Sequence, residues 1–395
     1  MRDLEININE KSAILDRSIV KYILMHTIGG FLMLYATLLP IFMNKLGIPI
    51  LYYGVLMSLA SIMDIAITFA LSKKFDKISP NIGIALDWIT ESIPPFIYAF
   101  ALSPLHFMFG IFATKLTNVL NPMYRVYESF IYPAENREKI YKYHLIIPET
   151  INVILLPVVG YLLTYTFPSI EAFRIVFFIS GIGFIFLSSI PLKKLKWIEP
   201  QVVDFNKECA TKPEQALSKV LIRLSIAEIF VMISMQMTSQ FVLVYFLLDK
   251  IEGNTFHIFS INAFSALVLV LSGFMSKNKK VSNGLFARSG IILLILYTGV
   301  LSISNSLWLV LLAILIGTIG RMKWFPAHSS LIMQYVPDES RGVFFGKLNS
   351  IGKIATFLVP VMTAMVVTLW GYSIVFSLAV ALYIMSYFIY KNLEL

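Results

Sequence analysis

Apolar segments of about twenty residues recur along the whole chain, at 21–43, 50–72, 81–101, 105–127, 142–165, 172–191, 219–246, 255–275, 284–303, 306–332, 343–368 and 371–390. Twenty apolar residues in a helix match the hydrocarbon thickness of a bilayer. None of these segments shows the strict alternation that a membrane β-strand requires, which excludes a barrel. Of the 395 residues, 57% are apolar and only 14% charged, too few charges to cover a water-soluble surface. The expected fold is an all-α polytopic membrane protein of twelve transmembrane helices.

A short stretch then recurs between these segments. Pro133-Ala134-Glu135-Asn136-Arg137 returns 204 residues later as Pro337-Asp338-Glu339-Ser340-Arg341. Pro122 and Pro326 share that offset, as do Ser72-Lys73 and Ser276-Lys277. One offset at three places points to a duplicated half, hence two pseudo-symmetric six-helix bundles. The expected organisation is a cytoplasmic amino-terminal segment (1–20), a first bundle (21–191), a cytoplasmic linker (192–218) and a second bundle (219–391). Two such halves can rock around a site between them, an arrangement that serves solute movement.

Charge distribution gives the orientation. Of 32 Lys and Arg residues, 25 fall in the termini or in alternate loops near 73–77, 125–142, 193–223, 277–288 and 341–347. Cationic loops stay in the cytoplasm, so both termini are expected there, in the cytoplasmic (plasma) membrane. The net charge of +9 thus reports orientation, and no nucleic-acid partner is expected. The one cysteine, Cys209, lies in the linker and cannot form a disulfide within the chain. No cofactor or metal is expected, and a monomer is.

Local sequence resembles the major facilitator superfamily at three places. Asp76 and Lys77 match the cationic loop motif of that family between helices 2 and 3. Leu156-Pro157-Val158-Val159-Gly160 resembles a degraded form of the helix-5 signature of drug/proton antiporters. The run Arg341-Gly342 to Gly352, entering helix 11, is also similar. Arg137 and Arg341 are the loop arginines of the repeat. The resemblance implies a transporter whose helices 1, 4, 7 and 10 line a central cavity.

Ionisable groups within apolar segments are costly and mark function or internal pairing. Residues three, four and seven apart share a helix face. Arg321, Trp324, Phe325 and His328 lie on one face of helix 10, a surface suited to an anionic or aromatic solute. Lys115 and Asn118 form a second polar stripe with Pro122 and Arg125 in helix 4. Glu228, Met232 and Met235, with Gln236 nearby, form a third in helix 7, where methionine suits adaptable apolar substrates or plain packing. Glu149, in a stripe with Asn152, is the expected proton carrier. At the repeat offset it corresponds to Lys353, of opposite charge. The depths of Asp64 and Lys353 suggest an ion pair joining the halves. His26 reads as a hydrogen-bonded helix histidine, and Asp87 with Glu91 as groups serving helix packing.

No Gly-x-x-x-x-Gly-Lys-(Ser/Thr) loop is present, so ATP hydrolysis is not expected. The leading reading is a secondary active transporter of a small organic solute, working by alternating access and coupled to protons. Export of hydrophobic compounds and transport of organic anions both remain open within that class. A solute sensor is the alternative outside it. The scattered His residues and single Cys argue against an enzyme.

Overall fold

A computed structural model describes residues 16–75, 78–117, 120–133, 136–199, 219–275, 282–336 and 341–393. These residues form helices and connections, with no strand among them. In order the helices are α1 (Arg17–Leu32), α2 (Leu34–Lys45), α3 (Ile50–Phe75), α4 (Pro80–Ala99), α5 (Pro104–Thr117), α6 (Pro122–Ile131) and α7 (Arg137–Tyr161). A π turn, Leu162–Thr166, follows α7. Next come α8 (Ile170–Lys193), α9 (Lys219–Met237), α10 (Gln240–Asp249), α11 (Thr255–Met275), α12 (Asn283–Ile303) and α13 (Leu307–Tyr335). The last three are α14 (Arg341–Thr356), α15 (Val359–Trp370) and α16 (Tyr372–Lys391).

Among the described residues, 10 spans are long and apolar enough to cross a membrane, some of them pairs of consecutive helices. The expected third and fourth spans are not among them. In α4, Asp87, Glu91, Pro94 and Pro95 dilute the apolar run. The segment at 105–127 is divided into α5 and α6, with Pro122 opening the second piece. The chain is a multi-pass helical membrane protein, with 10 such spans among the described residues.

The matched prolines do unequal work. Pro122 starts α6, whereas Pro326 sits inside the continuous α13. Pro360 opens α15, whereas Pro157 lies within α7. Proline lacks an N–H and fits a first turn without loss, but inside a helix it removes a backbone bond. Pro122 and Pro360 thus open helices, whereas Pro326 and Pro157 lie inside them.

The chain packs into two compact units. The first comprises Met1–Leu39, Met63–Leu155 and Phe167–Ala210; the second comprises Pro40–Ile62, Leu156–Thr166 and Thr211–Leu395. In the first unit α4 packs most extensively on α8, with α5 on its other side. Trp88 stacks on Phe184 at 5.7 Å, and Tyr98 fits against Gly110, where a Cβ would overlap its ring. In the second unit α12 packs on α13 and α16, and α9 on α16. Gly371, with φ of 84°, supplies the left-handed turn that reverses α15 into α16.

Each unit also clamps its own helix ends. In the first, Asn81 at the start of α4 is fully buried. Its Nδ2 donates to the carbonyls of Pro191 at 2.9 Å and Lys196 at 3.1 Å, and its Oδ1 accepts from Ile198 N at 3.0 Å. Ser79 adds a bond to Ile198 O at 2.6 Å. In the second unit Arg288 of α12 donates to Tyr390 O at 3.1 Å and Leu393 O at 2.7 Å, closing the end of α16. Helix ends leave carbonyls without partners, and each clamp satisfies some of them.

Candidate functional site

The second unit gathers a polar cluster around α13. Gly290 and Gly320 bring α12 and α13 into backbone contact: a Cβ at Gly290 would lie 2.6 Å from Trp324 N and 2.9 Å from Gly320 O. That contact sets the position of Trp324. Its ring lies parallel to His328 with centroids 4.9 Å apart, and its Nε1 donates to Tyr390 Oη at 3.2 Å. Tyr390 Oη in turn forms a short hydrogen bond with His328 Nδ1.

The other nitrogen of His328, Nε2, lies 3.2 Å from Glu228 Oε2 of α9. Neither atom completes an aligned hydrogen bond, and both are buried. The contact is thus one of proximity between two buried polar atoms. Ser386 donates to Ala227 O at 3.1 Å and Ser234 to Ala379 O at 3.4 Å, holding α9 and α16 together on either side of Glu228.

The face expected on helix 10 is thereby divided. Trp324 and His328 are buried within the unit, His328 to 2% exposure, whereas Phe325 is 64% exposed. Arg321 is exposed and lies over the Tyr297 ring at 5.6 Å from its centroid. Lys323 lies over Phe286 at 5.5 Å. Met232 fills the space against Gly352, where a Cβ would come within 2.8 Å of its methyl carbon. Met235 is half-buried and Gln236 exposed.

The first unit holds a longer cluster. Glu128 Oε1 accepts from Tyr22 Oη at 3.1 Å, and Oε2 from Tyr141 Oη at 3.0 Å. His144 Nδ1 lies 3.5 Å from Glu128 Oε1 and 3.0 Å from Tyr132 Oη. The His144 and His26 rings are 4.7 Å apart, and His26 is 5.0 Å from the Tyr124 ring. Tyr124 makes a short hydrogen bond to Asp87 Oδ2. One turn further along α4, Glu91 Oε2 accepts from Tyr35 Oη at 2.8 Å. Glu128 lies just beyond the apolar segment; burial pushes its carboxyl above the usual range, against the hydrogen bonds from Tyr141 and Tyr22 and the Arg125 charge. Burial and the neighbouring Glu128 likewise push the Tyr132 phenol up.

The remaining expected residues lie as follows. Lys115 is half-buried in the last turn of α5. Glu149 is half-buried and accepts from Asn152 at 3.3 Å. Arg137 reaches back to the carbonyls of Ser129 and Tyr132, each at 3.4 Å, and so caps α6. Asp64 is buried in α3 and belongs to the first unit; Lys353, in the last turn of α14, belongs to the second. Arg341 begins α14. Asp76, Lys77 and Asn118 lie outside the described residues.

Sequence reasoning did not find Tyr22, Tyr124, Glu128, Tyr132, His144 or Tyr390. Glu128 and His144 lie on different helices, and no periodicity within one helix connects them. His26 differs from its reading as a hydrogen-bonded histidine. Its ring contacts are aromatic, and Nε2 is buried without a hydrogen-bond partner.

A family model described as Major Facilitator Superfamily matches residues 29–360. The chain belongs to the major facilitator superfamily. It is a membrane transporter and not an enzyme. A bacterial homologue of the iron transporter ferroportin, in an inward-facing state, is similar over 95% of this chain and 98% of its own, with a TM-score of 0.70 and 12% identity. The human organic anion transporter MFSD10 is similar over 95% of this chain and 99% of its own, with a TM-score of 0.62 and 14% identity. A bacterial homologue of the human lysosomal transporter Spinster, inward-facing and occupied, covers 94% and 95%, with a TM-score of 0.64 and 15% identity. No curated protein matches the chain. At these identities the solved structures establish a shared superfamily fold.

Proposed function

We propose that this transporter is a proton-coupled secondary carrier of a small organic anion, working by alternating access. The observation that carries the reading is the Glu228–His328 pair, 3.2 Å apart between membrane-spanning helices. A carboxylate and an imidazole so placed hold or release a proton as their hydration changes, which is the elementary act of coupling. Glu149, half-buried and accepting from Asn152 at 3.3 Å, is a second proton carrier in this reading.

The anionic substrate follows from the exposed part of α13. Arg321 offers a delocalised cation beside the exposed Phe325 ring, chemistry that suits a carboxylate or sulfonate on an apolar body. Met232 is engaged in packing against Gly352, which weakens the reading of helix 7 as a methionine-lined surface for hydrophobic drugs. Met235 and Gln236, on α9 of the same unit, complete the proposed substrate-binding set. The similarity to a structure described as an organic anion transporter is consistent with this choice.

The test is uptake into proteoliposomes under an imposed pH gradient, with a panel of organic anions and lipophilic cations. An anion should accumulate, and Arg321→Gln should cut its uptake about tenfold or more, the effect of losing a charge-assisted contact. Movement of lipophilic cations alone would overturn the anionic reading. The proposed placement of both termini in the cytoplasm is checked by Cys209: a membrane-impermeant thiol reagent should label it in inverted vesicles and not in intact cells.

A further inference from the structure

The interior of the first unit contains more titratable side chains than a packing role requires. They form one series from the end where α6 meets α7 toward the middle of α4. In order these are Glu128, His144, His26, Tyr124, Asp87 and Glu91. Successive members are in hydrogen bond or ring contact: 3.5 Å from Glu128 to His144, 4.7 Å between the histidine rings and 5.0 Å from His26 to Tyr124. The hydrogen bond to Asp87 completes the path, and Glu91 lies one helical turn beyond.

The outer end reaches the surface of the unit through Tyr141, 42% exposed, which bonds Glu128. The inner end is closed, with Asp87 and Glu91 both buried. Three polar atoms there are buried without a hydrogen-bond partner: His26 Nε2, Asp87 Oδ1 and Trp88 Nε1. Buried polar groups are ordinarily satisfied, so three orphans in one place mark a site that exchanges something.

We propose that the first unit carries protons along this series, with Asp87 as the buried acceptor and the two histidines as the carriers between it and Glu128. The inference rests on the proton-coupled reading above and gives that coupling a route distinct from Glu228 and His328. Protonated Glu128 gives its proton to His144, which releases one from its other nitrogen toward His26. Tyr124 passes its hydroxyl proton to Asp87 and regains one from His26. One proton leaves Glu128, one arrives at Asp87 and Tyr124 is restored; each histidine is left protonated on its other nitrogen and resets by turning its ring before the next transfer.

Tyr124, Glu91 and Tyr35 act on Asp87 directly, and the other titratable and charged groups around the series come from each neighbouring element. From α1 they are Tyr22 and His26, from α2 Tyr35, and from α4 itself Glu91. The α6 helix brings Tyr124, Arg125, Tyr127 and Glu128, followed by Tyr132 after its end; α7 brings Tyr141 and His144. The α5 helix carries Lys115 and Thr117. The α8 helix presents Phe184 against Trp88, while its charges, Glu171, Arg174 and Lys193, lie at its two ends.

A pH jump followed by infrared spectroscopy on the full chain in lipid tests this without any solute. Lowering the pH from about 8 to about 5, the range in which imidazole and burial-shifted carboxyls titrate, should raise a protonated-carboxyl band. Asp87→Asn should remove that band. His26→Gln and His144→Gln should keep its amplitude and slow its rise on the order of tenfold or more, as loss of a proton-transfer group does. A merely structural role would change the amplitude or the unfolding temperature and leave the rate intact. The relay is overturned if the rise is unchanged in both histidine variants, or if Asp87→Asn keeps the band. Tyr124→Phe, which keeps the ring in place, gives the same reading should a histidine variant fail to fold. A negative pH-gradient transport assay beside a slowed infrared signal would remove the coupling and support the relay; the opposite pair of results would remove the relay.

Discussion

Tyr124 in the first unit and His328 in the second stand at equivalent points of the duplication, two residues after the matched prolines. Both make a short hydrogen bond inside their own unit, Tyr124 to Asp87 and His328 to Tyr390. Their surroundings differ. Around Tyr124 the polar groups extend as a series toward the surface, through His26, His144 and Glu128. Around His328 they close on themselves: Trp324 stacks on the ring, Tyr390 takes one nitrogen and Glu228 faces the other. The same offset thus holds two different arrangements, set by which neighbouring helices cover each position.

The largest expected effect falls on the closed cluster. His328→Gln should lower proton-driven anion uptake about a hundredfold, the low end of what a positioned acid–base group contributes. Tyr124→Phe should cost far less if the first unit only delivers protons. Equal losses in uptake assays of the two variants would erase the contrast.

The clamps sharpen it at a smaller scale. Asn81→Ala leaves a buried N–H and two carbonyls without their partner, and should cost about 2–3 kcal/mol, read as a lowered unfolding temperature. Arg288→Met removes two bonds at a half-buried site where solvent can replace them, and should cost about 1 kcal/mol. Its more telling effect would be on His328, because Arg288 holds the backbone of Tyr390. A changed pH dependence of uptake in that variant, at nearly unchanged stability, would show that the clamp positions the site.

The membrane class and the apolar segments were legible in the sequence, because a bilayer imposes length and composition directly. Breaks inside those segments were legible only in part. Pro122 and Pro360 announce a helix start, but the interruption at Met33 between α1 and α2 has no proline or glycine at that residue. The site was legible one helix at a time. Spacing along α13 correctly relates Trp324 to His328, which stack, yet it cannot show that Tyr390, 62 residues away, bonds the same ring. Nor could it separate the buried His328 from the exposed Phe325, since burial depends on which neighbouring helix covers which side. Asp87 and Glu91 read as packing groups for the same reason: their partners, Tyr124 and Tyr35, come from other helices.

The residues at 40–62 carry a consequence for how the chain is made. Though encoded early, they pack with much later segments: Asn44 bonds Asp249 at 3.0 Å, Ile48 O accepts from Tyr245 at 2.8 Å, and Ser58 Oγ accepts from Val361 N at 3.1 Å. The Asn81 clamp, by contrast, is complete once residue 198 has been synthesised. A nascent chain can therefore seal the end of its first unit while the stretch at 40–62 still waits, in lipid, for helices the ribosome has not yet delivered. Such long-range pairing is slow to form. During biogenesis this stretch is the part that waits longest for its hydrogen-bond partners.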